Sequence, residues 1–385
     1  MSDWNCAIAG IAELAPVRRT EGETTLGMIA RVCTQAVADA GLEPAAIDGL
    51  LVGPQVGETP QHVPATVSEY LGLRPTMSNV VDLGGASGAG MAWRAAAAIN
   101  AGMCEAVLCV LANTREATPP RSPNRNPIRE FDVPFGASGA NAAYAMIAQA
   151  HMHHYGTTSE QLAGAVVAQR ENARRHPDAI FRDTPITVDD VLNSPLVTAP
   201  LRLLEIVMPC AGGAAFVVTS LARAKTLRHA PVAIVGAGEK VTHRAISGAP
   251  DLLSGPLKPA MARAFQQAGV SAKDMHLLSL YDCYSIMLAV TVEDAGLCPA
   301  GQGGRWLSEH DLSPEGDFPL NTHGGQLAFG QADLAGGMSH IIEAVRQLRH
   351  QANGRQISDA RLALVTGNGA TMSEATALVL RREEK

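Results

Sequence analysis

Apolar residues at Leu257, Ala260, Met261, Ala264, Phe265 and Ala268 are spaced as one face of an α-helix, and Gly269 then stops the run. An earlier stretch repeats the pattern with Leu26, Ile29, Ala30, Cys33, Val37 and Ala40 ahead of Gly41. In both, glycine supplies the left-handed residue that closes a helix. Each predicted helix follows a short apolar strand and leads through a polar loop into another, so each is the centre of a β-α-β unit. The leading strands share a phrase, Ile8-Ala-Gly-Ile-Ala-Glu13 returning as Ile234-Val-Gly-Ala-Gly-Glu239. The following helix and strand also correspond, AVADAGLEPAAIDGLLV (36–52) with AFQQAGVSAKDMHLLSL (264–280). Identities are few, so the order of elements carries the repeat.

A third unit repeats as well. Gly84-Gly85 precedes a helix predicted over Met91 to Ala101 and a strand over Ala106 to Leu111. Gly324-Gly325 precedes a helix over Ser339 to His350 and a strand over Arg361 to Thr366. The pattern predicts an α/β chain of two duplicated βαβαβ halves, 1–225 and 226–385, the first interrupted by an insertion at about 112–205. The insertion opens on a loop rich in proline, Pro119 to Pro127. It continues with helices over Ala140 to Tyr155 and Ser159 to Arg175, the second started by the capping phrase Thr158-Ser159-Glu160-Gln161.

Composition narrows the function without naming it. The net charge of −7 with no long basic run argues against nucleic acid or an anionic membrane as partner. No stretch is apolar for long enough to span a bilayer, and no secretory signal is read at the start, so a cytoplasmic protein is the expectation. The seven cysteines include no CxxC pair and read as reduced core thiols, with no zinc site. His151 and His154 share a helix face but lack an acidic third ligand in phase, so no metal is expected there. The glycine doublets do not form a dinucleotide fingerprint. Arg115, Arg121, Arg125 and Arg129 suit a solvated loop, a CoA phosphate or a partner's acidic face. An aromatic content of 4% suggests an aliphatic pocket.

Two halves with a helical insertion in the first resemble the thiolase superfamily. The phrases AVADAGLEPAAIDGLLVG (36–53), YGTTSEQLA (155–163), GGAAFVVTSLARA (212–224), YDCYS (281–285) and NTHGG (321–325) are similar to the branch of sterol-carrier-associated thiolases and thiolase-like steroid side-chain aldolases. The resemblance spans nearly the whole chain. It implies a thiolase fold, an αβαβα five-layer sandwich with a helical loop domain, and a homodimer. It also implies an acyl-CoA substrate, with coenzyme A as part of that substrate and no covalently bound cofactor. Lineages with degenerate sites add a small zinc-ribbon and OB-fold acyl-CoA-binding partner protein.

Thiolases that this chain resembles place four loops around one pocket, and here each loop departs from the family. The nucleophile's phrase, Cys-x-Ser-Gly at a helix start, is Gly85-Ala86-Ser87-Gly88. Without a thiol at Gly85 the acyl group has no covalent acceptor, and Cys104 and Cys109 fall on the following helix and strand. The glycine-rich helix start still favours a negative oxygen. The second loop is Tyr281-Asp282-Cys283-Tyr284, with Tyr281 in the polar catalytic position and Cys283 expected in the core. As a base, Tyr281 would need its pKa to fall by ~3 units, or ~4 kcal/mol, whereas donating a hydrogen bond requires no such shift. The third loop carries Gln331 where histidine stands in thiolases and where the steroid aldolases tend to carry a tyrosine. Its amide can donate to a thioester oxygen but cannot be a base. His323, the nearest imidazole, is a base, a substrate contact or a loop-shaping residue. The fourth loop is Gly367-Asn368-Gly369, so the second cysteine is missing and Gly369 is left beside the oxyanion. Ser254, Gly255 and Ser87 are the candidate coenzyme A contacts. These departures imply a retro-aldol lyase of CoA thioesters without an acyl-enzyme, in which Tyr281, helped by His323, manages the β-hydroxyl proton while amide groups near Gly85, Gln331 and Gly369 hold the enolate oxygen. The alternatives are a divergent acyltransferase and a non-catalytic acyl-CoA-binding subunit.

Overall fold

The computed structural model of the protein describes residues 4–54, 62–115, 133–137 and 139–385. Arg121, Arg125, Arg129 and the segment from Pro119 to Pro127 lie outside them. The strands are β1 (Cys6–Val17), β2 (Gly49–Val52), β3 (Met77–Val80), β4 (Ala106–Asn113), β5 (Leu196–Thr198), β6 (Leu201–Arg202), β7 (Ala211–Ser220), β8 (Val232–Val241), β9 (Leu277–Ser279), β10 (Leu362–Gly369) and β11 (Glu374–Arg382). Nine of them form one sheet ordered β3-β2-β4-β7-β1-β8-β11-β10-β9, and β5 with β6 forms a small hairpin. Outward from the seam between β1 and β8, the strands β1, β7, β4 and β2 match β8, β11, β10 and β9 in direction. The inner pairs are antiparallel and the outer pairs β2–β4 and β9–β10 are parallel.

The alternation of side chains along these strands builds the layers. Val107, Cys109 and Leu111 of β4 face one core, and Leu108 and Val110 face another. In the second half Leu378 and Leu380 of β11 enter the first of these cores, while Ala377 and Val379 enter a third. The shared core holds two central helices, Ser87–Asn100 and Gly336–Leu348, packed between the two halves of the sheet. The helix Thr25–Ala40 covers the outer face of the first half, and Leu257–Ala268 covers that of the second. Five layers result, helix and sheet alternating, as the family resemblance implies.

The repeat phrases meet equivalent demands. A Cβ on Gly10 would lie 2.3 Å from the Ala36 carbonyl oxygen, and one on Gly236 would lie 2.1 Å from that of Ala264, so each strand needs glycine under its outer helix. Three residues on, Glu13 pairs with Arg346 of the opposite half's central helix and Glu239 pairs with Arg94 of its own opposite, at 2.9 and 2.6 Å. Gly41 and Gly269 close the outer helices at φ 71° and 68°. Leu26 and Ala30 sit at the flank of the first helix rather than on its buried face, which is centred on Met28, Val32 and Ala36. Both central helices begin earlier than their patterns predict, at Ser87 and Gly336. Their first turns are glycine-rich because they are wedged between layers: a Cβ on Gly88 would meet Met338 at 2.9 Å, and one on Gly337 would meet the Gly85 carbonyl at 2.1 Å.

The insertion packs on the outer face of the second half, burying Tyr144, Ile147 and Leu162 in its core. Its α-helices among the described residues are Gly139–Tyr155, Ser159–Arg174 and Val188–Asn193. Thr158 caps the second helix, its hydroxyl accepting from the Gln161 amide while Gln161 accepts from the Thr158 amide. Thr158→Ala is expected to lower stability by about 1 kcal/mol, read as a shift in the urea midpoint at unchanged slope. His151 is buried and hydrogen-bonded to Thr157 and Glu293, at 2.8 and 3.1 Å, tying the insertion to the second half. Among the described residues no helix is long and apolar enough to cross a membrane.

Candidate active site

Tyr281 follows β9, and three contacts hold its backbone. Its amide donates to Thr366 Oγ1 of β10 at 2.9 Å. The preceding residue, Leu280, is clamped by the Asn321 side chain, which accepts from its amide at 2.7 Å and donates to its carbonyl at 2.8 Å. The tyrosine ring then enters a slot between Gly85 and Gly337. A Cβ built on Gly85 would fall 2.0 Å from the Tyr281 hydroxyl and 2.3 Å from the ring carbon bearing it. The backbone of Gly85 does not require glycine, since it is not among the residues of positive φ. What excludes a side chain at the nucleophile's position is the tyrosine itself. The second cysteine position is closed too, because a Cβ on Gly367 would lie 2.7 Å from the Ala86 Cα.

The Tyr281 hydroxyl opens onto a cavity of about 440 Å³ that is also lined by Gly85, Gln331, Asp333 and Asn368. Burial is the main cause that pushes Tyr281 well above the ordinary tyrosine value, and Cys283 and Asp333 push in the same direction. Hydrogen bonds from the Gln326 and Gln331 side chains oppose this. Tyr281 is therefore a neutral phenol at physiological pH, equipped to donate. Two more tyrosines line the cavity. Tyr144 stacks on Tyr284 with ring centroids 4.2 Å apart. The Tyr144 hydroxyl accepts from Asn368 at 2.6 Å, and that of Tyr284 donates to Asn141 at 2.6 Å. Together with Asp82, Asp333, Glu374 and Arg244 they make the cavity polar. This corrects the aliphatic pocket expected from composition: three of the five tyrosines in the chain are gathered here, which an average conceals. Tyr144 was not legible as a site residue because its partners here, Tyr284 and Asn368, lie in the other half of the chain.

Cys283 also lines the cavity, although its sequence context reads as core. Burial raises its thiol to about 12, so it is neither thiolate nor nucleophile. Gln331 reaches the cavity as expected, with its amide donating to the Asp333 carbonyl at 3.1 Å. Gly369 does not line the cavity. Its neighbours Asn368 and Ala370 do, while Gly369 lets the chain pass against the Leu83 carbonyl, 2.0 Å from where its Cβ would be.

The remaining predicted residues lie elsewhere. His323 is 1% exposed and is absent from the cavity wall; it packs behind it against Phe329 and His340, with both ring nitrogens unpartnered. Burial holds its pKa well below the usual value, so it is a neutral ring without access to substrate. Asp282 is spent on structure, accepting from the Gln326 and Leu327 amides at 2.7 and 3.2 Å and so fixing the loop that leads to Gln331. Ser87 is fully buried, its hydroxyl donating to the Gly84 carbonyl and accepting from the Leu83 amide, which shapes the turn before the central helix and leaves nothing for coenzyme A. Ser254 and Gly255 do not line the cavity either: both donate to Asp294, at 2.7 and 3.2 Å.

The family described as thiolase C-terminal domain-like matches residues 238–382. The chain is 32% identical to a steroid side-chain-cleaving aldolase of Thermomonospora curvata, covering 95% of this chain and 96% of that one. It is 30% identical to the 17-hydroxy-3-oxo-4-pregnene-20-carboxyl-CoA lyase of Mycobacterium tuberculosis, over 97% and 99% of the two chains. Among solved structures, the Ltp2-ChsH2(DUF35) aldolase superposes with a TM-score of 0.91 at 28% identity, each chain fully covered.

Proposed function

The chain belongs to the thiolase superfamily, in the branch of sterol-carrier-associated thiolases and thiolase-like steroid side-chain aldolases, and on that premise we propose that it is a retro-aldol lyase of β-hydroxyacyl-CoA thioesters. The observation that carries this reading is the Tyr281 hydroxyl standing in the space a nucleophilic thiol would need above Gly85. A covalent route has no acceptor there. A carbon–carbon cleavage that passes through an enolate needs none, because the bonding pair moves onto the thioester oxygen. That oxygen is where a donor is worth most: Tyr281, kept protonated by burial, donates to the developing enolate, and the Gln331 amide lies beside it.

The test follows small molecules and protein mass together. The protein is incubated with β-hydroxyacyl-CoA and β-ketoacyl-CoA thioesters, then analysed by mass spectrometry. Aldehyde or ketone release from the hydroxy compounds, with no added protein mass, is the expected outcome. Cysteine acylation is not expected, because burial raises every thiol, Cys6, Cys210, Cys283 and Cys298 to about 12 and Cys104 to about 11. Cleavage of ketoacyl-CoA that requires free coenzyme A, or an acyl adduct on the protein, would instead establish a transferase. The proposal includes a cytoplasmic homodimer and an acyl-CoA-binding partner; the name of the solved relative, which joins Ltp2 to ChsH2, supports a partner subunit.

A further inference from the structure

Retro-aldol cleavage needs a base for the β-hydroxyl proton, and the residues expected to supply one do not. No histidine is among the described residues that line the cavity. Tyr281 is held as a phenol, and Gln331 has no basic site. Three carboxylates remain on the wall: Asp82, Glu374 and Asp333. Glu374 sits in the field of Asp82, Glu239 and Arg244, a charge group of its own. Asp333 is the carboxylate whose charge acts on Tyr281.

Its setting also differs from that of the buried carboxylates. Asp282 accepts two backbone amides, Glu343 accepts the Arg355 guanidinium, Glu205 accepts the Ser285 hydroxyl, and Glu293 accepts the Gly303 amide. The Asp333 carboxylate has no hydrogen-bond donor among the described residues. It is exposed to the cavity solvent, two residues beyond Gln331, on a backbone of φ 50° that aspartate tolerates better than most side chains. An unoccupied acceptor in a cavity, facing a phenol donor, has the form of an acid–base pair waiting for substrate.

We propose that Asp333 is the base that accepts the β-hydroxyl proton, an inference that rests on the lyase reading above. Asp333 takes the proton, the O–H bonding pair becomes the second bond of the new carbonyl, and the Cα–Cβ pair moves into the thioester as an enolate held by the Tyr281 hydroxyl. The proton then passes from Asp333 to Cα. An aldehyde or ketone and a shortened acyl-CoA leave, with no net change in protons. The surrounding protein pushes the Asp333 carboxyl up from its usual value, against the pull of Arg115, toward the range in which a carboxylate is an effective base.

The test measures cleavage of two probes, β-hydroxy-β-phenylpropanoyl-CoA and β-hydroxy-β-methylbutanoyl-CoA, which release benzaldehyde and acetone. Asp333→Asn should lower kcat by about a hundredfold with KM changed by less than about threefold, and Asp333→Glu should restore part of the rate. In the wild type, kcat/KM should fall as pH drops through the raised carboxyl, and the asparagine variant should lack that limb. The charges of Arg115 and of the Tyr281 phenol bear on Asp333, and Asp82, Glu374 and Arg244 share its cavity wall; the buried phenol stays neutral, but Glu374 is also raised by burial, so the acid limb belongs to Asp333 when Asp333→Asn abolishes it and Glu374→Gln keeps it. If Asp333→Asn cleaves within about threefold of the wild type, or keeps its acid limb, Asp333 is not the base and the lyase reading stands. If the wild type cleaves neither probe nor any other β-hydroxyacyl-CoA, the lyase reading fails and Asp333 falls with it.

Discussion

Tyr281→Phe is expected to lower kcat for β-hydroxyacyl-CoA cleavage by about three orders of magnitude, the upper end of what loss of one oxyanion donor costs. The variant isolates a single oxygen. The ring that fills the slot between Gly85 and Gly337 is retained, so the packing of both central helices is unchanged. The Gln331 amide lines the cavity and can turn to solvent when the hydroxyl is lost, and the buried Gln326 amide keeps its contact with His340. Thermal unfolding should therefore match the wild type within a few degrees. Substrate affinity should change little, because the phenol's interaction strengthens only as charge develops on the thioester oxygen. Cleavage of β-hydroxy-β-phenylpropanoyl-CoA, followed as benzaldehyde release across a substrate series, gives kcat and KM separately. A variant that retains more than a tenth of the wild-type kcat would remove Tyr281 from the chemistry.

Much of this arrangement is legible in the sequence, and what escapes it has a common cause. The outer helices declare themselves because each has one buried face and a terminal glycine, a local pattern that needs no knowledge of the other half. The central helices are less legible at their starts, since they are packed between layers and begin in glycines that read as loop until Gly88 and Gly337 are seen against Met338 and the Gly85 carbonyl. The four loops are legible only through the resemblance to thiolases, and three of the residues it singles out, Gly85, Tyr281 and Gln331, line one cavity. Spacing could not say which neighbour in a loop faces inward. His323 looked like the available imidazole, but the turn that follows Asn321 carries it behind the wall, against Phe329 and His340. Asp333, two residues past the matched position, reaches the cavity through a left-handed backbone that no pattern of apolar residues reveals. The coenzyme A candidates failed for another reason. Serines beside glycines suit a phosphate contact and a structural turn equally well, and Ser87 and Ser254 are both consumed by hydrogen bonds within the fold.

Restoring the missing thiol should not restore a thiolase. Gly85→Cys is expected to destabilise the protein by about 3 kcal/mol, the upper end for forcing atoms into a filled core, because its Cβ would overlap the Tyr281 hydroxyl, 2.0 Å away, and the ring behind it. The ring has little freedom to retreat. Gly337 closes the far side, the backbone of Tyr281 is tied to Thr366, and Leu280 is clamped by Asn321. The introduced thiol should stay unacylated after incubation with acetyl-CoA, since the tyrosine occupies the approach that an acyl group would need. The decisive comparison is with Tyr281→Ala. In that background the space above Gly85 is open, so adding the thiol should cost little or even recover stability lost to the cavity. Chemical denaturation of the four proteins gives the coupling between the two positions, expected at about 2 to 3 kcal/mol, the upper range for residues in direct contact. A coupling near zero would mean that the loop bearing Gly85 moves aside freely, and the claim that Tyr281 has taken the nucleophile's place would fail. A large coupling would show that cysteine and tyrosine exclude each other at this site, so the covalent and non-covalent chemistries cannot share one pocket.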